Sequence, residues 1–172
     1  MAADGRRRAR PRPAPADASR ICVWVRNEAG RRGVPVLRSF EKWVGAIPEL
    51  EQRPGWTEVN ILVVDGRAGR RYNRRFRGRD YATNVLSFPY EPMPGEHSGL
   101  LGDLVVCAPV VAREAREQGK PARDHYAHLT IHGVLHLLGY DHEDDADAER
   151  MEALERRILA TLGIPDPYAP RG

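Results

Sequence analysis

The sequence predicts one α/β domain of the α+β kind, a small mixed sheet of about four strands packed by helices, and three observations lead there. Four segments of strand character all lie before residue 109, the remainder is helical in period, and 172 residues without an internal repeat suit a single core. Sheet order is not readable from these features.

In chain order, "RICVWVRN" alternates apolar and polar residues with β-branched content, which predicts a strand over 20–26. "PVLRSFEKWVGAIPEL" follows, with Val36, Leu37, Phe40, Trp43 and Val44 at helical spacing, a first helix to pack on that strand. "WTEVNILVVD" predicts the second strand, ended by the turn signal Asp65-Gly66. Tyr72 and Phe76, four residues apart, share one face of a short helix whose seven arginines between Arg67 and Arg79 fan into solvent. "TNVLSFPY" and "GLLGDLVVCA" predict two more strands joined by a loop rich in Pro, Gly and Glu.

Three helices close the chain. Pro109 opens one and Gly119 lies past its end, while Pro121 opens the next and Gly139 ends it. Asp144 caps a final helix whose Met151, Leu154, Ile158 and Leu162 form one apolar stripe before Gly163 and Pro165. The domain is expected over 20–168, between a disordered Arg/Pro/Ala-rich tail over 1–19 and a short tail over 169–172.

Composition excludes several classes. A net charge of +3 is too small to dictate a partner. There is no apolar run of transmembrane length, and residues 1–19 lack the apolar centre of a secretory signal, so a cytoplasmic protein without a membrane partner is expected. Cys22 and Cys107 form no CxxC pair, which argues against a disulfide framework or thiolate metal site and for core thiols.

The histidines carry the chemistry. His132, His136 and His142 form H-x3-H-x5-H within "HGVLHLLGYDH", a pattern that six histidines would produce by chance in about one such chain in a hundred. His132 and His136 stand one helical turn apart on one face, close enough to share a metal ion. His128 lies one turn earlier, but at about 1.5 Å rise per residue it sits on the order of 12 Å from His136, too far for both to bind one ion. Gly139, ending the helix in a left-handed conformation, turns His142 back toward His136 and His132, which leaves His128 to support the site or the core. The expected metal site thus lies on a helix and the turn after it. Three imidazoles leave a zinc ion one open position, the catalytic arrangement, although imidazole also suits nickel, copper and iron. Zinc peptidases carry Glu directly after the first histidine as general base; here that position is Gly133, which disfavours peptide hydrolysis.

"HGVLHLLGYDH", "FRGRDYATNVLSFP" and "GLLGDLVVC" together resemble the bacterial YbeY family, metal-dependent endoribonucleases of ribosomal RNA maturation and ribosome quality control, over 20–168. The resemblance implies zinc ligands His132, His136 and His142, a required arginine at Arg77, and single-stranded ribosomal RNA and the small ribosomal subunit as partners in 16S rRNA 3′-end maturation, with no DNA partner. Arginine's planar donor fork suits phosphate, so Arg77 would meet charge developing on a cleaved phosphodiester, and Arg70, Arg71, Arg74, Arg75 and Arg79 would contact neighbouring phosphates or form a solvated helix face. Either water or the RNA 2′-hydroxyl could attack phosphorus; the second route is closed to DNA. Asp103 and Asp141 are candidate bases or hydrogen-bond partners of ligand histidines. The alternatives are a non-catalytic ribosome-assembly factor with a structural zinc, and a metallopeptidase supplied with Glu from elsewhere.

Overall fold

Two central strands organise the domain, and their sequences explain why. "NILVV" and "LVVC" are near-continuous apolar runs, the pattern of strands buried on both faces. The computed structural model describes residues 20–96 and 98–170, so the tail expected over 1–19 lies outside the described residues. β1 (Ile21–Asn27) runs parallel to β2 (Thr57–Val64), pairing Val23 with Val59 and Val25 with Ile61. After α3 (Gly66–Arg77), the edge strand β3 (Val85–Pro89) lies antiparallel to β4 (Leu100–Cys107), with Ser87 opposite Leu104. β2 and β4 are parallel neighbours, so the order is β1-β2-β4-β3, a mixed four-stranded sheet as the sequence predicts.

Helices cover both faces. On one face α1 (Leu37–Gly45) and α5 (Ala122–Leu137) pack against Val59, Ile61, Leu104 and Val106, and α6 (Asp145–Thr161) packs on α5 through Met151, Leu154 and Ile158. On the other, α3 sets Ala68 and Tyr72 against Val64, Leu86, Val105 and Cys107. Gly69 permits that approach, because a β-carbon there would meet Cys107 Sγ at 2.8 Å. Residues 35–50 do not form one helix. A separate turn, α2 (Pro48–Glu51), follows α1 because Pro48 has no N–H to donate and holds Ile47 extended. α4 (Ala108–Glu117) leaves β4 with Pro109 in its first turn.

The end of α5 matters most for the site. Gly139 adopts φ +97°, its N–H donates to His136 O at 3.0 Å, and Tyr140 N–H donates to Leu135 O at 3.0 Å. These two bonds are the Schellman arrangement that terminates a helix and reverses the chain. Asp144 caps α6 by accepting from Asp147 N–H at 2.8 Å. Among the described residues no helix is long and apolar enough to cross a membrane.

Candidate metal centre

The reversal at Gly139 brings His142 against the last turn of α5. The ring centroids of His132 and His136 are 4.6 Å apart, and His142 lies 5.0 Å from His136 and 5.9 Å from His132. One ring nitrogen from each lies within 4.8 Å of the other two. His132 and His136 are half-buried and His142 is exposed, so the cluster opens to solvent on one side.

Proton positions around the cluster follow from its partners. His132 Nδ1 donates to Glu155 Oε1 at 2.5 Å, so in the neutral ring Nε2 carries a bare lone pair. That Nε2 faces His136 Nε2 at 3.1 Å. His136 also hydrogen-bonds the Tyr140 backbone, and burial together with its neighbours His132 and His142 lowers its pKa, which keeps it neutral. Two nitrogens bound at 2.0–2.1 Å to one tetrahedral zinc would lie about 3.3 Å apart, so the observed pair fits an ion between them.

Glu155 is the residue that sequence reasoning missed. It is fully buried in α6, where Oε1 accepts from His132 and Oε2 accepts from His128 Nε2 at 3.1 Å and from the Tyr168 hydroxyl. Burial alone would raise its pKa, but the bonds from His128 and His132 overrule that and hold it at about 2. The signal was present: Glu155 follows Leu154 and sits one turn from Met151, a carboxylate on an apolar stripe. His128 thus supports the site from behind, with its pKa lowered chiefly by burial.

His128, His132 and Glu155 also lie close enough to hold an ion. Their polar atoms are instead used on one another, and Glu155 is sealed from solvent. The three-histidine group is the one with a free, outward side. A metal ion with an open position fits that group better for this reason.

Gly133 packs against the sheet. A β-carbon there would meet Leu104 Cδ2 at 2.8 Å and Ser87 Oγ at 3.3 Å, and its carbonyl accepts from Ser87 Oγ at 3.2 Å. A peptidase-type glutamate at this position would enter the sheet interface.

The remaining expected site residues are distributed unevenly. Asp141 is adjacent to the cluster, but its carboxylate accepts from the His142 backbone N–H at 2.7 Å. Asp103 does not join the histidines. It accepts from Asn60 Nδ2 at 2.9 Å and alternates with Leu104, so it belongs to the sheet face opposite α5. Arg70 forms a two-pronged pair with Asp80, Nε to Oδ1 at 2.9 Å and Nη2 to Oδ2 at 2.7 Å, so those donors hold the loop after α3. Arg75 lies over the Phe76 ring at 5.4 Å. Arg71, Arg74, Arg77 and Arg79 are exposed.

Arg77 ends α3 on one face of the sheet and the histidines lie on and after α5 on the other, and neighbours of both touch β3. Phe76, next to Arg77, packs on Phe88 with ring centroids 4.9 Å apart, and the preceding residue, Ser87, bonds Gly133 beside His132. Among the described residues β3 is the edge strand, paired with β4 alone.

Comparison with known proteins adds to this geometry. The family model described as Endoribonuclease YbeY matches residues 26–163. The chain is 58% identical over 154 residues to the Endoribonuclease YbeY of Stenotrophomonas maltophilia strain K279a, covering 87% of this chain and 94% of that one. It is 60% identical over 142 residues to the Endoribonuclease YbeY of Alkalilimnicola ehrlichii, covering 81% and 86%. The solution structure of TM1509 from Thermotoga maritima is similar in fold, with a TM-score of 0.54 at 26% identity, covering 88% of this chain and 98% of that one.

Proposed function

Since the chain belongs to the endoribonuclease YbeY family, we propose that it is a zinc-dependent, single-strand-specific endoribonuclease acting in 16S rRNA 3′-end maturation and ribosome quality control. Its partners in this reading are single-stranded ribosomal RNA and the small ribosomal subunit, in the cytoplasm. His132, His136 and His142 hold the ion. The observation that carries the metal assignment is the pair of Nε2 atoms 3.1 Å apart, with His132 Nδ1 turned away to hydrogen-bond Glu155.

Bound there, the ion would polarise a phosphoryl oxygen or lower the pKa of a water. The chain's own residues do the rest. Arg77 presents a planar fork to a non-bridging phosphate oxygen from across the edge strand, where charge grows as the phosphodiester is cleaved. Arg71, Arg74 and Arg79, each exposed, would hold flanking phosphates, and Arg75 beside Phe76 would offer a cation next to an aromatic face on which a base can stack.

The test is cleavage of a defined single-stranded RNA, and of DNA of the same sequence, by wild type and His142→Ala with metal content measured on both. His142 is exposed on a loop, so its loss spares the core. Wild type carrying about one zinc per chain and cutting RNA, with both lost in the variant, supports the reading. RNA left intact by a folded, zinc-loaded wild type would sink it in favour of the assembly-factor alternative. Full activity on DNA would eliminate attack by the 2′-hydroxyl.

A further inference from the structure

A fully buried carboxylate needs compensation, because removing a charge from water costs several kcal/mol unless it is paired and hydrogen-bonded. Among the described residues the ion pairs of Glu155 are to His128 and His132, with no Lys or Arg among them. His128 Nε2 and His132 Nδ1 each meet one of its oxygens, and the third partner is the Tyr168 phenol, which donates to Oε2. The arrangement places a carboxylate directly behind the imidazole of His132.

Tyr168 is itself held in place. Its backbone N–H donates to Asp166 Oδ1 at 2.8 Å, Arg156 Nε donates to the same oxygen at 3.3 Å, and the Arg156 guanidinium lies over the Tyr168 ring at 5.0 Å. The Tyr168 ring also meets His128 edge-on at 5.4 Å. Tyr168 follows residue 163, where the family match ends. A residue outside the matched region thus reaches the carboxylate behind His132.

We infer that Glu155, gripped by His128 and Tyr168, is the positioning carboxylate of the metal centre: it fixes His132 in the tautomer that presents a bare Nε2, and Tyr168 ties segment 164–168 into that task. This rests on the metal reading above. A carboxylate accepting from the far nitrogen of a ligand imidazole fixes the ring's orientation and raises its basicity, and such partners typically govern metal affinity by roughly 10–100-fold.

The experiment compares full-length wild type, Glu155→Gln, Tyr168→Phe and Ile158→Val. Zinc affinity is measured by competition with a chromophoric chelator, and the His132 ring 15N shifts are recorded on metal-free protein. Ile158 is buried in α6 outside the network and serves as the packing control. Glu155→Gln should weaken zinc by roughly 10–100-fold, and Tyr168→Phe by about two- to tenfold, the worth of one hydrogen bond. Ile158→Val should leave affinity unchanged. The 15N shifts should report Nδ1–H in wild type and a mixed population in Glu155→Gln.

Zinc bound equally tightly by all four, or an unchanged His132 tautomer in Glu155→Gln, overturns the inference. Should Glu155→Gln not fold, Tyr168→Phe decides, since it removes a single hydroxyl. Failure of wild type to bind zinc would overturn the metal reading instead, and the tautomer measurement on metal-free protein keeps the two failures distinct.

Discussion

Gly133→Ala sets two effects of opposite sign against each other at the centre of the site. In an exposed helix interior the change would stabilise by about 1 kcal/mol, because glycine leaves more backbone entropy to lose. Here the added carbon would meet Leu104 Cδ2 at 2.8 Å, Leu104 Cδ1 at 3.1 Å and Ser87 Oγ at 3.3 Å. Leu104 is fully buried and has nowhere to swing. Overpacking of this kind costs about 1–3 kcal/mol, so the net expectation is a loss of about 1 kcal/mol and a Tm lower by about 2–4 °C. Urea midpoints at matched m-value, taken without added metal so that binding does not contribute, measure it. Adding Leu104→Ala removes the clash. In that background Gly133→Ala should recover its gain of about 1 kcal/mol, a coupling of about 2 kcal/mol. The packing argument is refuted if Gly133→Ala alone is stabilising or if the two changes simply add.

Further expectations concern acid stability, a helix cap and the proposed phosphate contact. Burial would raise the Glu114 pKa, but hydrogen bonds from His125 Nε2 at 2.7 Å and Asn84 Nδ2 at 3.1 Å hold it below its ordinary 4.5. The stability this carboxylate contributes is therefore complete above about pH 4.5 and lost as pH falls through the lower folded value. Glu114→Gln should flatten the acid side of a plot of urea midpoint against pH, and a curve parallel to wild type would contradict it. Asp144→Ala removes the cap on Asp147 N–H and should cost about 1 kcal/mol in chemical unfolding. Arg77→Ala should lower kcat/KM on RNA by about ten- to hundredfold, the worth of a charged hydrogen bond, with zinc content and Tm unchanged; unaltered cleavage would remove Arg77 from the mechanism.

What the sequence could and could not reveal follows from how far each interaction reaches along the chain. His132 and His136 were legible together because helix geometry fixes residues four apart, and Gly139 because its left-handed φ is a local property. The caps at Asp65 and Asp144 are equally local, although Asp65 reads first as a turn and is in fact the N-cap of α3. Sheet order was hidden because β2 pairs with β4 across an intervening helix and strand. The face that Asp103 joins was equally hidden, because it lies within β4 and its side is set by packing partners far away in sequence. Glu155 escaped because its partners lie 23 and 27 residues earlier and 13 later, on separate elements.

The separation of arginines from histidines has a structural reason in the edge strand. Neighbouring residues of a strand point to opposite faces, so Ser87 meets α5 while Phe88 meets the end of α3, one residue rise of about 3.3 Å away. Open edges invite unwanted strand pairing, and β3 meets that hazard by being five residues long and ending in Pro89. Its entry is fastened by Arg70 on Asp80, Asn73 on the Tyr81 carbonyl and Asn84 on Glu114. The result is a short rim between α3 and α5. A duplex is too stiff to fold over such a rim, whereas a flexible single strand can set one phosphate beside the histidines while its neighbours reach α3. In the proposed reaction a preference for single-stranded RNA would follow from the shape of the edge as much as from the metal. Tethering α3 more distantly from β3, by Phe76→Ala, should therefore loosen strand selectivity as well as weaken binding.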